Sequence, residues 1–216
     1  MVYYALLDTS SLTSVDVSKL RLKIKKHFIK PDTLKRDDSV AAKALLCVLL
    51  KKLYNMSDFI VDCNKNGKPF IAGEKIRFNI SHSGKFVLCV VGDEQVGCDI
   101  EVVREYKPKV AKRFFTEAEY KLLESSESKS YDFTRLWTLK ESVLKFSGEG
   151  ISGGLDRYCF SEYYNKNSFA FKGLCFNQFN FEDYAVSICS EKGCISQLNA
   201  DIEDIKNEIL NERGTL

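Results

Sequence analysis

A chain of 216 residues, 44% hydrophobic and 29% charged with only 3 prolines, can bury a core as one large domain or two small ones and does not match disordered or fibrous proteins. Its formal net charge of +2 gives no whole-molecule field suited to nucleic acid, and no stretch reaches the roughly 18 apolar residues that span a bilayer. The opening MVYYALLDTS lacks the charged region and cleavage site of a secretory signal, and the 8 cysteines form no Cys-x-x-Cys pair, so reduced, mostly core thiols in a cytoplasmic protein are expected.

In chain order, Val2 to Leu7 predict a strand. Val17, Leu20, Ile24 and Phe28 then recur at helical spacing until Pro31. The crowded basic residues Lys19, Arg21, Lys23, Lys25, Lys26, Lys30, Lys35 and Arg36 lie largely off that stripe, as a solvated face or an anion site. Asp37 or Asp38 is placed to cap a second helix, whose apolar run from Val40 to Leu53 is broken by Lys43. NGKP at 66–69 is turn chemistry. Three β-like runs follow at 76–80, 86–92 and 96–100, which predicts a meander with short polar links and puts His82 in a turn from Asn79 to Gly84.

The second half opens with a helix near 107–115 and another from Thr116, where Thr116 and Glu119 have capping-box spacing. A polar loop at 124–130 precedes a long helix from Tyr131 closed by Gly148. Alternating aromatic segments and DYAVSICS suggest a small sheet, and LNADIEDIKNEILNE a terminal helix. The expected class is α+β in two halves, residues 1–103 and 104–216.

The chemistry concentrates in VGCDIE at 96–101. Side chains alternate along a strand, so Asp99 and Glu101 share one face while Val96, Cys98 and Ile100 take the other, with Gly97 expected to leave open space beside the acids. Like charges this close raise each other's proton affinity unless a cation lies between them. Magnesium, which prefers oxygen ligands and keeps several waters, suits such a pair; two solvated acids at a strand end are the plainer alternative. Trp137, Glu141 and Lys145 stand i, i+4, i+8 on one helical stripe, supplying a third carboxylate and a lysine for phosphate oxygen. Alone, that Glu–Lys pair is worth only about 0.2–0.5 kcal/mol. His82 sits among Ser81, Ser83 and Gly84, small groups that can approach an anion or merely turn a hairpin. No zinc spacing, GxSxG elbow or glycine-rich phosphate loop is present.

NISHSG, VGCDIE and WTLKESVLK, in this order, with GKP before the first and AKRFFTEAEY between the last two, resemble the 4′-phosphopantetheinyl transferases of the larger, surfactin-synthetase-activating (Sfp) type. The resemblance runs from roughly Phe28 to Ser190. It implies a pseudo-twofold monomer with its active site at the junction of the halves. It also implies that the phosphopantetheine arm of coenzyme A moves to a serine of an apo acyl or peptidyl carrier protein, releasing adenosine 3′,5′-bisphosphate. By the same resemblance Asp99, Glu101 and Glu141 hold magnesium, Lys145 meets the transferring phosphate, and Glu141 is a candidate base. Lys68, Ser81 and His82, with Lys30, Arg36 and Ser39, match positions that bind coenzyme A. Glu119 matches a glutamate near the site, although capping accounts for it equally well, and Lys140 faces a sheet edge or a ligand. Cys98 stands where the family commonly has an aliphatic residue. Two alternatives remain at this point: a magnesium enzyme acting on another nucleotide pyrophosphate, and a non-catalytic carrier-binding protein of the same fold.

Overall fold

The computed structural model describes residues 1–29, 34, 36–150 and 154–207, so Lys30 and Lys35 lie outside the described residues. The first half runs β1 (Val2–Asp8), α1 (Ser14–Ile24), α2 (Asp37–Tyr54), β2 (Val61–Cys63), β3 (Pro69–Ile71), β4 (Arg77–Ser83) and β5 (Phe86–Gly92). Then follow β6 (Val96–Val102), α3 (Pro108–Phe114), α4 (Glu117–Ser125) and α5 (Lys129–Ser147). The chain continues through β7 (Ser168–Phe171), β8 (Leu174–Phe181), β9 (Tyr184–Ser190), β10 (Ile195–Gln197) and α6 (Ile202–Ile205).

Local chemistry sets the helix ends. Thr13 with Asp16 and Thr116 with Glu119 form capping boxes at the starts of α1 and α4, satisfying amide groups that have no intrahelical acceptor. Gly148 ends α5 in the left-handed conformation at φ 73°, which costs glycine no Cβ clash. The cap expected at Asp37 or Asp38 is not made: Arg36 holds the N-cap position without a side-chain bond, and both aspartates sit in the first turn of α2, where they complement the helix dipole. The expected terminal helix is described only as the short α6.

Among the described residues, ten strands form two four-stranded sheets and a hairpin. The first sheet has the order β10-β1-β5-β4, the second β6-β9-β8-β7, and β2 pairs with β3. The expected meander therefore stops at β5, and β6 crosses to the second sheet, where Asp99 lies opposite Ser187 and Glu101 opposite Ala185. The physical reason lies on β5, whose two edges are already taken by β4 and β1, so a third partner finds no free backbone groups there. NISHS is strand, not turn, and its side chains Asn79 and Ser83 take the Cys98 and Val102 amides of the neighbouring β6. His82 is accordingly a strand residue paired with Val87.

Sheet membership does not follow a division at 103/104. By hydrogen bonding β6 belongs with the C-terminal strands, while β10 runs parallel to β1 and α6 packs on α2. The result is α+β in four layers. Outer faces of the first sheet carry α1 and α2 over Leu20, Leu45, Leu49 and Val91. Between the sheets, Val2, Leu88 and Val90 meet Cys98, Ile100, Val186 and Ile188. On the far side Leu139 and Val143 of α5 pack against Phe176 and Cys189. Cys98 thus points into the core, as the alternation requires, and Asp99 and Glu101 face α5.

All 8 cysteines are free, but only Cys89, Cys98 and Cys189 are buried and Cys194 is exposed, so most are not core thiols. No helix among the described residues is long and apolar enough to cross a membrane.

Candidate active site

Gly97 decides how close α5 comes to β6. A Cβ there would lie 2.1 Å from the Ser142 carbonyl oxygen and 2.3 Å from the Phe146 nitrogen, so the space expected beside the acids is filled by helix backbone. That contact brings the Glu141–Lys145 stripe over the carboxylates. Lys145 Nζ donates to Asp99 Oδ1 at 2.6 Å and to Ser81 Oγ at 2.9 Å, and Ser81 Oγ donates to the same Asp99 oxygen at 2.8 Å. Ser83 Oγ donates to Glu101 Oε2 at 2.8 Å.

Burial and mutual repulsion set the protonation. The Glu141 carboxyl is pushed up to about 7, by burial first and then by Asp99 and Glu101, against the opposing Lys145 charge. Glu101 is raised by burial and Asp99, and the Ser83 hydrogen bond partly offsets this. Lys145 is lowered by burial but raised more by Asp99 and Glu141, so it stays firmly cationic.

Beside this acidic group stands a basic one. His82 Nδ1 lies 3.3 Å from Asp38 Oδ2, which also takes a 2.6 Å bond from the Arg36 guanidinium. Lys43 Nζ donates to Ser39 Oγ at 2.6 Å. Burial, followed by the Arg36, Lys145 and Lys43 charges, holds His82 below its ordinary value despite Asp38. Arg36 and His82 around Asp38, with Ser39 and Lys43, make one group of donors for an anion, and Ser81 with Lys145 makes a second across the β4 strand, its charge felt at His82. Next to Lys43, a cavity of about 150 Å³ is lined by Phe28, Pro69, Phe78 and Ile80. A second, of about 230 Å³, opens beside Glu101 between Trp137, Phe133 and Val110, with Arg104 and Lys107 on its wall.

Lys43 was missed in the sequence because it interrupts an apolar helix; its i, i+4 spacing from Ser39 was the available signal. Another cavity, of about 290 Å³, is lined by Lys23, Lys26, His27, Lys51 and Phe59 rather than by any of these carboxylates.

Three expected residues go elsewhere. Lys68 Nζ donates to the Val96 and Phe146 carbonyls at 3.0 and 2.8 Å, joining the β2–β3 hairpin to the end of α5, and burial holds its ammonium down to about 8. Glu119 and Lys140 form a fully buried ion pair at 2.8 Å, completed by Thr116, Phe160 N and the Leu155 and Tyr158 carbonyls. Glu119 is thus a cap and a core partner, and the Lys140 ammonium turns to it and to the loop after α5.

The donor set fits a hard divalent cation in chemistry. Asp99 Oδ2 and Glu141 Oε1 are buried carboxylate oxygens without a hydrogen-bond partner among the described residues. No three His, Cys, Asp or Glu side chains among the described residues are already gathered as a metal cage. Magnesium does not require one, since it is commonly held by one or two carboxylates together with substrate phosphates and water.

Comparison with known proteins converges on one family. A model described as the 4′-phosphopantetheinyl transferase superfamily matches residues 95–189. The 4′-phosphopantetheinyl transferase gsp of Aneurinibacillus migulanus is 44% identical over 90 residues, 41% of this chain and 38% of that protein. Sfp of Bacillus subtilis strain 168 is 39% identical over 105 residues, 47% of each. The transferase ffp of Bacillus subtilis is 31% identical over 156 residues, 70% of this chain and 68% of that protein. The matched part thus spans less than half the length of gsp and Sfp and about two thirds of ffp.

Proposed function

The chain belongs to the Sfp-type 4′-phosphopantetheinyl transferases, and on that premise we propose that it moves the phosphopantetheine arm of coenzyme A to a serine of an apo acyl or peptidyl carrier protein. The reaction releases adenosine 3′,5′-bisphosphate, requires magnesium and is performed by a monomer. One observation carries this reading: the Lys145 ammonium bridges Asp99 and Ser81, at the point where three mutually repelling carboxylates meet the donors around His82.

Arg36, Ser39, Lys43, Ser81 and His82 take the nucleotide phosphates, and the cavity walled by Phe28 and Phe78 takes the flat base beside them. The cavity by Glu101 and Trp137 takes the pantetheine arm. Asp99, Glu101 and Glu141 hold the magnesium, which when bound offsets the pyrophosphate charge. Phosphoryl transfer asks mainly for positioning and charge stabilisation. Lys145 supplies the second by turning its ammonium from Asp99 to an oxygen of the transferred phosphate. Glu141 accepts the serine proton, directly or through a water. The serine oxygen bonds to the phosphorus bearing the pantetheine, and the bond from that phosphorus to the bridging oxygen breaks, with the electron pair leaving on the nucleotide.

The test is incubation with coenzyme A, magnesium and several apo carrier domains, followed by mass spectrometry. Gain of one phosphopantetheinyl group supports the reading; no gain on carriers that a known transferase labels would refute it.

A further inference from the structure

β4 and β6 stand side by side, yet no backbone hydrogen bond joins them, since β4 pairs only with β5 and β6 only with β9. Side chains at i, i+2 and i+4 of β4 make the seam instead. Asn79 Oδ1 accepts the Cys98 amide at 2.9 Å, Ser81 Oγ donates to Asp99, and Ser83 Oγ accepts the Val102 amide at 3.1 Å while donating to Glu101 Oε2 at 2.8 Å. All three side chains are buried, so water does not replace these bonds freely.

Ser83 differs from Ser81 in what holds it: Ser81 accepts from the Lys145 ammonium, Ser83 from a backbone amide. A hydroxyl carries one proton, and acceptance from Val102 N fixes the rotor so that this proton points at Glu101. The serine is therefore held by the residue after Glu101 and in turn holds the Glu101 carboxylate. Without it, Glu101 keeps its place on the strand but loses a defined side-chain direction.

We propose that Ser83 is a positioning residue for Glu101: its hydroxyl, clamped by the Val102 amide, orients that carboxylate for a divalent cation. The inference rests on the reading of Glu101 as a metal ligand. Groups that orient a ligand typically change metal affinity by about 10-fold or more when removed.

Manganese binding to the free protein, followed by electron paramagnetic resonance without coenzyme A, separates the possibilities. Ser83→Ala should bind manganese about 10-fold more weakly than wild type, and Ser83→Thr, which keeps the hydroxyl, should return to within about 3-fold. In a Glu101→Gln background Ser83→Ala should add less than about 2-fold, because the carboxylate it orients is gone. Magnesium needed for half-maximal transfer should rise by the same factor, with the rate at saturating magnesium and the KM for carrier little changed.

A Ser83→Ala protein that binds manganese like wild type, or whose loss adds fully to that of Glu101→Gln, overturns the inference. So does a Ser83→Thr protein as weak as Ser83→Ala. Should Ser83→Ala fail to fold, Ser83→Cys, a weaker donor of similar size, must show an intermediate loss, and its absence is equally decisive against the role. If wild type transfers the arm and binds manganese while Ser83 proves indifferent, only this inference falls; if wild type binds no divalent cation, the metal site falls with it.

Discussion

Lys145 Nζ lies 2.6 Å from Asp99 Oδ1, so one ion pair ties the last turns of α5 to the middle of β6. Asp99 is almost fully buried, and among the described residues its only other side-chain donor is Ser81. Lys145→Met should therefore leave a poorly solvated carboxylate. A buried pair broken on one side costs about 3–5 kcal/mol, and because Lys145 is part-exposed the expected loss is about 2–3 kcal/mol. Transfer should fall by about 10²–10³ through the missing charge at the phosphate. Urea denaturation and single-turnover transfer, measured on the same preparation, check both parts. Full activity in Lys145→Met would remove the lysine from the chemistry.

Glu141 gives stability a pH dependence of definite sign. Its carboxyl is pushed up to about 7 from an ordinary 4.5, so across that window the folded protein holds a proton that the unfolded chain has released. Stability should accordingly fall as pH rises through the window, by at most about 3 kcal/mol, and level off above it. Glu101, also raised, contributes with the same sign. The change in urea midpoint between about pH 5 and about pH 8 should be more negative in wild type than in Glu141→Gln, a comparison that cancels the contribution of Glu101 and the opposite one of His82, which is held below its ordinary value. Equal pH dependence in the two proteins would mean the carboxyl is not raised.

Gly97→Ala should be damaging without altering any charge. Its Cβ would lie 2.7 Å from Phe146 Cα as well as within 2.3 Å of two backbone atoms of α5, and backbone cannot swing aside as a side chain does. The helix must lift from the strand, at a cost of about 1–3 kcal/mol for overpacking, and Lys145 and Glu141 lift with it. The expected result is a folded protein with reduced stability and a severe loss of transfer. Crystallography of the variant should show α5 displaced from β6. Near-normal transfer would mean that the site tolerates this displacement.

What was legible in the sequence was local. Alternation along 96–101 put Asp99 and Glu101 on one face, helical spacing put Glu141 and Lys145 on one stripe, and Thr116 with Glu119 marked a helix start, because periods of two and 3.6 residues are properties of short segments. Partners across long separations were not legible. The pairing of Val96 with Ser190 and of Val2 with Ile195 depends on which edges the packed layers leave free, and no short pattern encodes it. Asn79, Ser81 and Ser83 looked like a turn because small polar residues favour turns; here they serve a strand whose neighbour is reached through side chains. Gly97 was misread for a related reason, since a missing side chain marks either open space or a close approach, and only the position of α5 decides between them.

The Glu119–Lys140 pair provides a contrast with the Asp99–Lys145 pair. Both of its members are completely buried, and Lys140 gives its remaining bonds to the Leu155 and Tyr158 carbonyls, which ties α4, α5 and the following loop together. Burial holds the lysine below its ordinary value while Glu119 opposes that pull. Lys140→Met alone, or Glu119→Gln alone, removes one side of the pair, and the loss expected from a buried charge left unmatched is about 3–5 kcal/mol. Replacing both together, as Glu119→Leu with Lys140→Met, removes the burial cost of two charges along with their attraction and should be less destabilising than the sum of the singles. Transfer per folded molecule in the double variant should stay close to wild type, because the pair is part of the packing between helices and touches none of the carboxylates at Asp99. Denaturant titration supplies the coupling energy and active-site titration the folded fraction. A double variant that is well folded but inactive would return Glu119 to the chemistry.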